Sequence, residues 1–205
     1  MGGLRAVILL TALTLAGCGT VAPHTVGQAS LQSYKIVAVE VEGMEKVRSW
    51  PTQESEFVRA TNPAPDVVER MRSEPAFNFP ALTAYLTKVF ASRVQMEAGS
   101  RLPIFSGTRP AKLVIRIDQF DIPSAARRAL TDNAVKMKAN IDLVDASSGA
   151  TLLSYQGPFR SRPIIGGLLG TAVSSAVEQA QNIDHGYTMI ADYMGEYAAW
   201  VMGRS

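Results

Sequence analysis

The sequence predicts an α+β domain: a mainly antiparallel sheet of about four strands, covered on one face by helices. Three observations carry that prediction. Val135, Met137, Ala139, Ile141 and Leu143 alternate with Lys136, Lys138, Asn140 and Asp142, the period of a strand with one buried and one wet face. Leu82, Leu86, Phe90 and Val94 recur at helical spacing, as do Ile190, Tyr193, Met194, Tyr197 and Val201. The order along the chain is strand, helix, three strands, then helices, which suits a layered α+β domain.

The elements follow in order. Residues 35–41 are β-branched and end at Gly43, with Val37, Val39 and Val41 expected on one face and Ile36 and Ala38 on the other. Apolar residues on both faces predict a central strand. Periodicity is then lost over residues 44–66, where Trp50-Pro51 and Asn62-Pro63-Ala64-Pro65 read as turns. Asp66 is placed to cap a short helix over residues 67–73, stopped by Pro75. A longer helix starts between Asn78 and Pro80, with Gly99 as its expected stop. Leu113, Ile115 and Ile117 alternate with Val114, Arg116 and Asp118 in the next strand. Asp145-Ala146-Ser147-Ser148-Gly149 is turn chemistry between two antiparallel neighbours, the second over residues 151–155. Residues 163–177 are uncharged and glycine-rich, and a final helix covers about residues 186–202.

Composition sets the outer limits. The chain has 205 residues, 47% of them apolar, with 20 Lys and Arg against 18 Asp and Glu and a single cysteine. An apolar share this ordinary excludes a disordered chain. One cysteine excludes a disulfide framework within one copy. A net charge of +2 gives no support to nucleic-acid binding. No uncharged apolar run reaches the roughly 20 residues needed to span a bilayer, which excludes a polytopic membrane protein.

The cysteine stands in the most informative place. Arg5 is the only charge before an apolar run over residues 6–16, and Gly17 and Cys18 follow. This is the layout of a secretory signal, too short for a transmembrane helix. Leu15-Ala16-Gly17-Cys18 resembles the lipobox of bacterial lipoproteins: an aliphatic residue three before the cysteine, then two small ones. The resemblance implies that the Cys18 thiol carries a diacylglycerol thioether, that cleavage precedes Cys18, and that the new amine receives a further acyl chain such as palmitate. Two or more acyl chains anchor stably where one holds only marginally. Gly19 rather than Asp after the cysteine favours the outer membrane over the inner. Cleavage leaves 188 residues, and losing Arg5 lowers the side-chain charge to +1. The expected organisation is a signal peptide over residues 1–17, a lipidated tether over 18–33 and a single periplasmic domain over 34–205.

Catalytic reagents are sparse. The two histidines are His24, in the expected tether, and His185, just before the last helix. They cannot supply the three or four ligands of a zinc site, so no metal and no cofactor is expected. Ser106-Gly107 and Ser148-Gly149 do not match a nucleophile elbow, and no phosphate-binding glycine loop is present. Asp118 and Asp121 are three apart at a strand end and need not share a face. No catalytic residue is assigned, and the protein is expected not to be an enzyme; a hydrolase with an unrecognised site is the second alternative.

Three features point to binding. Gly166, Gly170 and Ser174 are four apart, as are Gly167, Thr171 and Ser175, so small residues would line one side of a helix. That stripe suits oligomer contact or shallow insertion, and equally a helix packed tightly on its own sheet. Arg127 and Arg128, with Arg160 and Arg162, form a basic group for lipid headgroups or an acidic partner, or are scattered surface charges. Trp50, with Phe57 nearby, is either an exposed interface anchor or a loop aromatic folded onto the core.

The strand at 35–41, the long proline-containing loop and the Leu143-Val144-Asp145-Ala146-Ser147-Ser148-Gly149 hairpin together resemble small bacterial envelope lipoproteins with an α/β domain. Asp118-Gln119-Phe120 with Ala126-Arg127 is similar to their strand-end motif, although Gln119 stands where they have arginine. By general plan the chain is similar to auxiliary lipoproteins of envelope transport and to lipoproteins that oligomerise at the outer membrane. The resemblance implies a non-catalytic accessory of transport or envelope maintenance. Its expected partners are membrane lipid through Cys18, an envelope protein and, as the first alternative, further copies of itself through the segment around Gly166 and Ser175.

Overall fold

A computed structural model describes residues 21–124, 127–128, 134–164 and 184–204. Among these residues the protein is an α+β fold built on one mostly antiparallel sheet. The helices are α1 (Gln28–Gln32), α2 (Pro51–Thr61), α3 (Pro65–Ser73), α4 (Pro80–Arg101) and α5 (His185–Val201). The strands are β1 (Tyr34–Glu42), β2 (Val47–Ser49), β3 (Arg109–Asp121), β4 (Ala134–Asp145), β5 (Thr151–Gln156) and β6 (Arg160–Pro163).

The six strands fill four lanes. The order is β1-β3-β4-β5; β2 takes over from β1 alongside the far end of β3, and β6 stands beside the near end of β4. The expected antiparallel run of β3, β4 and β5 is present, with Ile115 opposite Ile141 and Ile141 opposite Tyr155. β1 and β2 instead run parallel to β3.

That placement corrects the expectation of a central first strand. β1 pairs with β3 on one side, and no further strand continues the sheet beyond it among the described residues. Its double-sided apolar pattern has a local cause. The register jumps between Ile36 and Ala38, so Val37 is an extra, bulged residue. Ile36 packs on the core before the bulge and Val39 and Val41 after it, while Val37 is 54% exposed. A second bulge in β3 has the same effect. Ile117 pairs with Ala139 and Gln119 with Lys138, so Asp118 is the extra residue, and burial passes from Leu113, Ile115 and Ile117 to Phe120 and Ile122.

Residues 44–66, where no periodicity is read and Trp50-Pro51 is expected to be a turn, contain α2. Pro51 is its first helical residue rather than a turn former, since the missing proline N–H costs nothing there. Pro65 likewise starts α3, so Asp66 lies inside the helix and Ala64 takes the cap position without a side-chain bond. Asn62, in the left-handed region at φ 45°, closes α2. α4 runs through Gly99 to Arg101; Pro103 bars the residue before it from helical geometry, which ends the helix at that point.

α4 lies over β1 and α5 over β4, side by side on one face of the sheet. Leu82, Leu86, Phe90 and Val94 of α4 are almost fully buried, each contributing about 1.5–3 kcal/mol as an upper estimate. Glu97 joins the two helices. Its carboxylate accepts from Arg93 and Arg101, both at 2.6 Å; Arg93 then lies over the Tyr187 ring and Arg101 reaches the surface of Gly195. The opposite face of the sheet is ionic: Lys112 pairs with Glu40, Arg116 with Glu42 and Asp142, and Lys138 with Asp118.

Two aromatic clusters sit at the two ends of α5. At its start Trp50 meets Phe90, Phe120 and Tyr187 edge-on. At its end Tyr155, Tyr197 and Trp200 pack together. The chain from Val21 onward, expected to be loose, is docked at this second end. Trp200 Nε1 donates to the Ala22 carbonyl at 2.7 Å, and the His24 ring stands edge-on to Trp200 with Nε2 2.9 Å from the Val201 carbonyl. α1 follows, with Leu31 fully buried.

Candidate functional site

A cleft of about 620 Å³ lies between β2, α2, α3 and the chain leaving β3. Its floor is apolar, with Pro51, Val58, Val68, Met71 and Pro75; its rim carries Arg48, Arg59, Arg72 and Arg127. β2 delivers Arg48, which makes no ion pair among the described residues, while Arg59 and Arg72 are paired along their helices with Glu56 and Glu69. Arg127 clamps Asp121 through two bonds of 2.8 Å.

Glu54 faces the same cleft. Its carboxylate accepts from the Trp50 N–H at 2.6 Å, tying down the first turn of α2. Burial raises its pKa above the ordinary carboxylate range; the bonds from Trp50 and Ser49 pull the other way without cancelling that effect. The serines at the rim are turned inward: Ser55 Oγ donates to the Pro51 carbonyl and Ser73 Oγ to those of Glu69 and Arg70. No histidine lines the cleft among the described residues. An apolar floor with guanidinium groups at the rim suits an apolar segment bearing an anionic group, held by contact and charge.

A buried polar network, not foreseen from sequence, holds the cleft to α5. Asp184 caps α5 by accepting from the N–H groups of Gly186 (2.8 Å) and Tyr187 (3.1 Å). The same carboxylate accepts from Trp50 Nε1 at 2.8 Å and from Gln53 Nε2 at 2.8 Å, and Tyr85 donates to Gln53. Gly186 is needed for this approach, because a Cβ there would stand 2.5 Å from the Trp50 ring. Trp50 is fully buried, which removes it as an exposed interface anchor, and Phe57 rests tilted against Tyr85. Asp-x-Gly ahead of an apolar helical repeat was the available signal for the cap; nothing local announces its Trp50 partner 134 residues away.

The other expected site residues fall as follows. Cys18, Gly166, Gly170 and Ser174 lie outside the described residues. Arg160 pairs with Glu196 and Arg162 with Asp192 on α5, while Arg127 is committed to Asp121. Much of the charge of the expected basic group, which also includes Arg128, is therefore answered internally. Asp118 and Asp121 do not form an acid/base pair. Asp118 lies on the wet face beside Lys138 and Asn140, and Asp121, past the bulge, is buried with Arg127. Neither Asp118 nor His185 lines the cleft. No group of three or more His, Cys, Asp and Glu that could hold a metal ion occurs among the described residues. No described helix is long and apolar enough to cross a membrane.

No family model matches the chain, and no curated protein matches it in sequence. Among solved structures it is similar to the PelC dodecamer from Paraburkholderia phytofirmans, at 10% identity over 89% of this chain and 98% of that one, with a TM-score of 0.40. It is also similar to a candidate lipoprotein from Caulobacter crescentus CB15, at 17% identity over 56% and 84% of the two chains, TM-score 0.30. A third likeness is to lipoprotein GNA1162 from Neisseria meningitidis, at 19% identity over 73% and 98%, TM-score 0.23. These likenesses are distant, and the chain's own residues carry the functional reading.

Proposed function

We propose that this chain is a lipid-anchored protein of the bacterial envelope, facing the periplasm, whose domain works by contact rather than catalysis. The observation that carries the proposal is Leu15-Ala16-Gly17-Cys18 at the end of a short apolar run with one preceding positive charge. The outer membrane is favoured because Gly19 follows the cysteine. The domain offers a contact site in keeping with this role: an apolar cleft with an arginine rim, backed by a rigid Asp184 network. Its role is that of an accessory to transport or envelope maintenance, with an envelope protein as partner. Labelling with radioactive palmitate tests the anchor. Incorporation is expected in the native chain and lost in Cys18→Ala; label that persists in the variant defeats the proposal.

Self-assembly is the second reading. It is supported by the outer edge of β1, which no strand covers among the described residues and where bulged Val37 is 54% exposed. Native mass spectrometry of the detergent-solubilised lipoprotein decides it, and a monomer alone removes it.

A further inference from the structure

We infer that the bilayer lies against the C-terminal pole of α5, and that the arginine-rimmed cleft is held at the opposite pole, turned away from the membrane. The inference rests on the anchoring of Cys18 proposed above and adds the orientation of the domain.

Chain length sets the first limit. Ala22 is fixed to the domain by Trp200 Nε1 and His24 by its contacts with Trp200 and Val201. Ala22 is only four positions beyond Cys18, and fully extended chain spans at most about 3.6 Å per residue, so the Ala22 backbone stays within about 14 Å of the lipidated residue. That reach is about two headgroup layers, each roughly 5–7 Å thick, measured from the bilayer surface in which an acylated cysteine sits. Whatever surrounds Ala22 is therefore next to the membrane: the closing turn of α5, with Gly203 at φ 67° and the Arg204 N–H bonded to the Ala199 carbonyl. Met202 is half-buried there, and Gly203 and Arg204 are exposed.

The length of α5 sets the second. Its cap, Asp184, is bonded to Trp50 and Gln53 on the cleft side, and its last turn holds the Ala22 clasp. Trp200 is sixteen positions beyond Asp184, which at 1.5 Å per residue puts the two attachments about 24 Å apart. A domain turned over, with the cleft on the bilayer, would need its anchor to bridge that extra distance. The chain before Ala22 is too short to do so. The cleft is thus presented to soluble partners, and lipid headgroups of the anchoring membrane are not its ligand.

Because lipidation consumes the single native thiol, an engineered cysteine is a unique label site. The full lipidated chain is reconstituted into phosphatidylethanolamine–phosphatidylglycerol vesicles containing a nitroxide-headgroup lipid, with a fluorophore on Arg204→Cys or on Ser55→Cys. Loss of most of the fluorescence at residue 204 and none at residue 55 is expected. Equal quenching at both, or stronger quenching at residue 55, overturns the orientation. Intact mass is read on the same samples; an unacylated mass overturns the anchoring reading and this inference with it, whereas an acylated chain with the wrong quenching overturns the orientation alone. A flexible Gly/Ser insert of about 20 residues between Thr20 and Val21, with an r.m.s. reach of about 25 Å, should erase the difference between the two labels. Persistence of that difference would show that short reach is not its cause, and would also overturn the inference.

Discussion

Tyr193 shows how a single hydroxyl completes the sheet. Ala139 lies in β4 between the point where β5 stops pairing, at Asn140, and the point where β6 begins, at Met137. Its outward N–H and carbonyl would otherwise be orphaned. The Tyr193 hydroxyl accepts from the Ala139 N–H at 3.0 Å and lies 2.7 Å from its carbonyl and 3.1 Å from that of Pro158. Gly157 leaves the space for it, since a Cβ there would stand 1.9 Å from the hydroxyl. Tyr193→Phe keeps the ring and removes this satisfaction, so it should cost about 1–3 kcal/mol in urea unfolding. A loss below a few tenths would mean that water takes over the bonds. Tyr193 was read correctly from sequence as a core position on a helical stripe. Its polar role was not legible, because it depends on where two other strands begin and end.

At the scale of elements, α5 links the two poles through one end each. Asp184 and Trp50 make the cleft end continuous with the core, and Trp200 with Ala22 and His24 ties the N-terminal segment to the other end. The clasp can be tested alone. Trp200→Phe retains an aromatic against Tyr155 and Tyr197 but removes the donor to Ala22. The expected result is faster amide exchange and earlier protease cutting over residues 22–27, with a loss of global stability of about 1 kcal/mol. Unchanged exchange there would show that His24 and Val26 hold the segment without the bond. The period-two and helical-period signals located β3, β4, β5, α4 and α5 within a few residues, because each buries one face against the same core. α2 escaped because prolines at 51, 63 and 65 read as turns, when two of them start helices.

For the whole molecule, alkaline pH is the informative stress. Burial pushes the Tyr155 phenol up to about 12 from an ordinary value of 10, and it raises Tyr193 and Tyr197 further. The sign follows from linkage: a group whose folded pKa is raised contributes stability that is fully present below its unfolded value. These three tyrosines therefore leave stability flat up to about pH 10 and withdraw it as the pH climbs through 12. Absorbance at 295 nm should show them ionising together with loss of tertiary circular dichroism. Smooth ionisation with the fold intact would contradict their burial as a cluster.

Residue pattern alone was enough for the lipobox-like Leu15-Ala16-Gly17-Cys18, the alternating antiparallel strands, the helical stripes and the scarcity of catalytic reagents, since all of these are local patterns of residue type. Tertiary structure decided the rest. The bulges at Val37 and Asp118 shift each strand by one residue, and with a side-chain period of two that exchanges its faces while leaving the apolar count unchanged. Among the described residues β1 is an edge strand, because position in a sheet depends on which partners arrive, and strands apolar on both faces are compatible with either place. The N-terminal segment joined the fold because Trp200, some 178 residues away, offers a donor to Ala22. A contact of that span leaves no periodic trace in the chain, yet the proposed orientation of the domain rests on it.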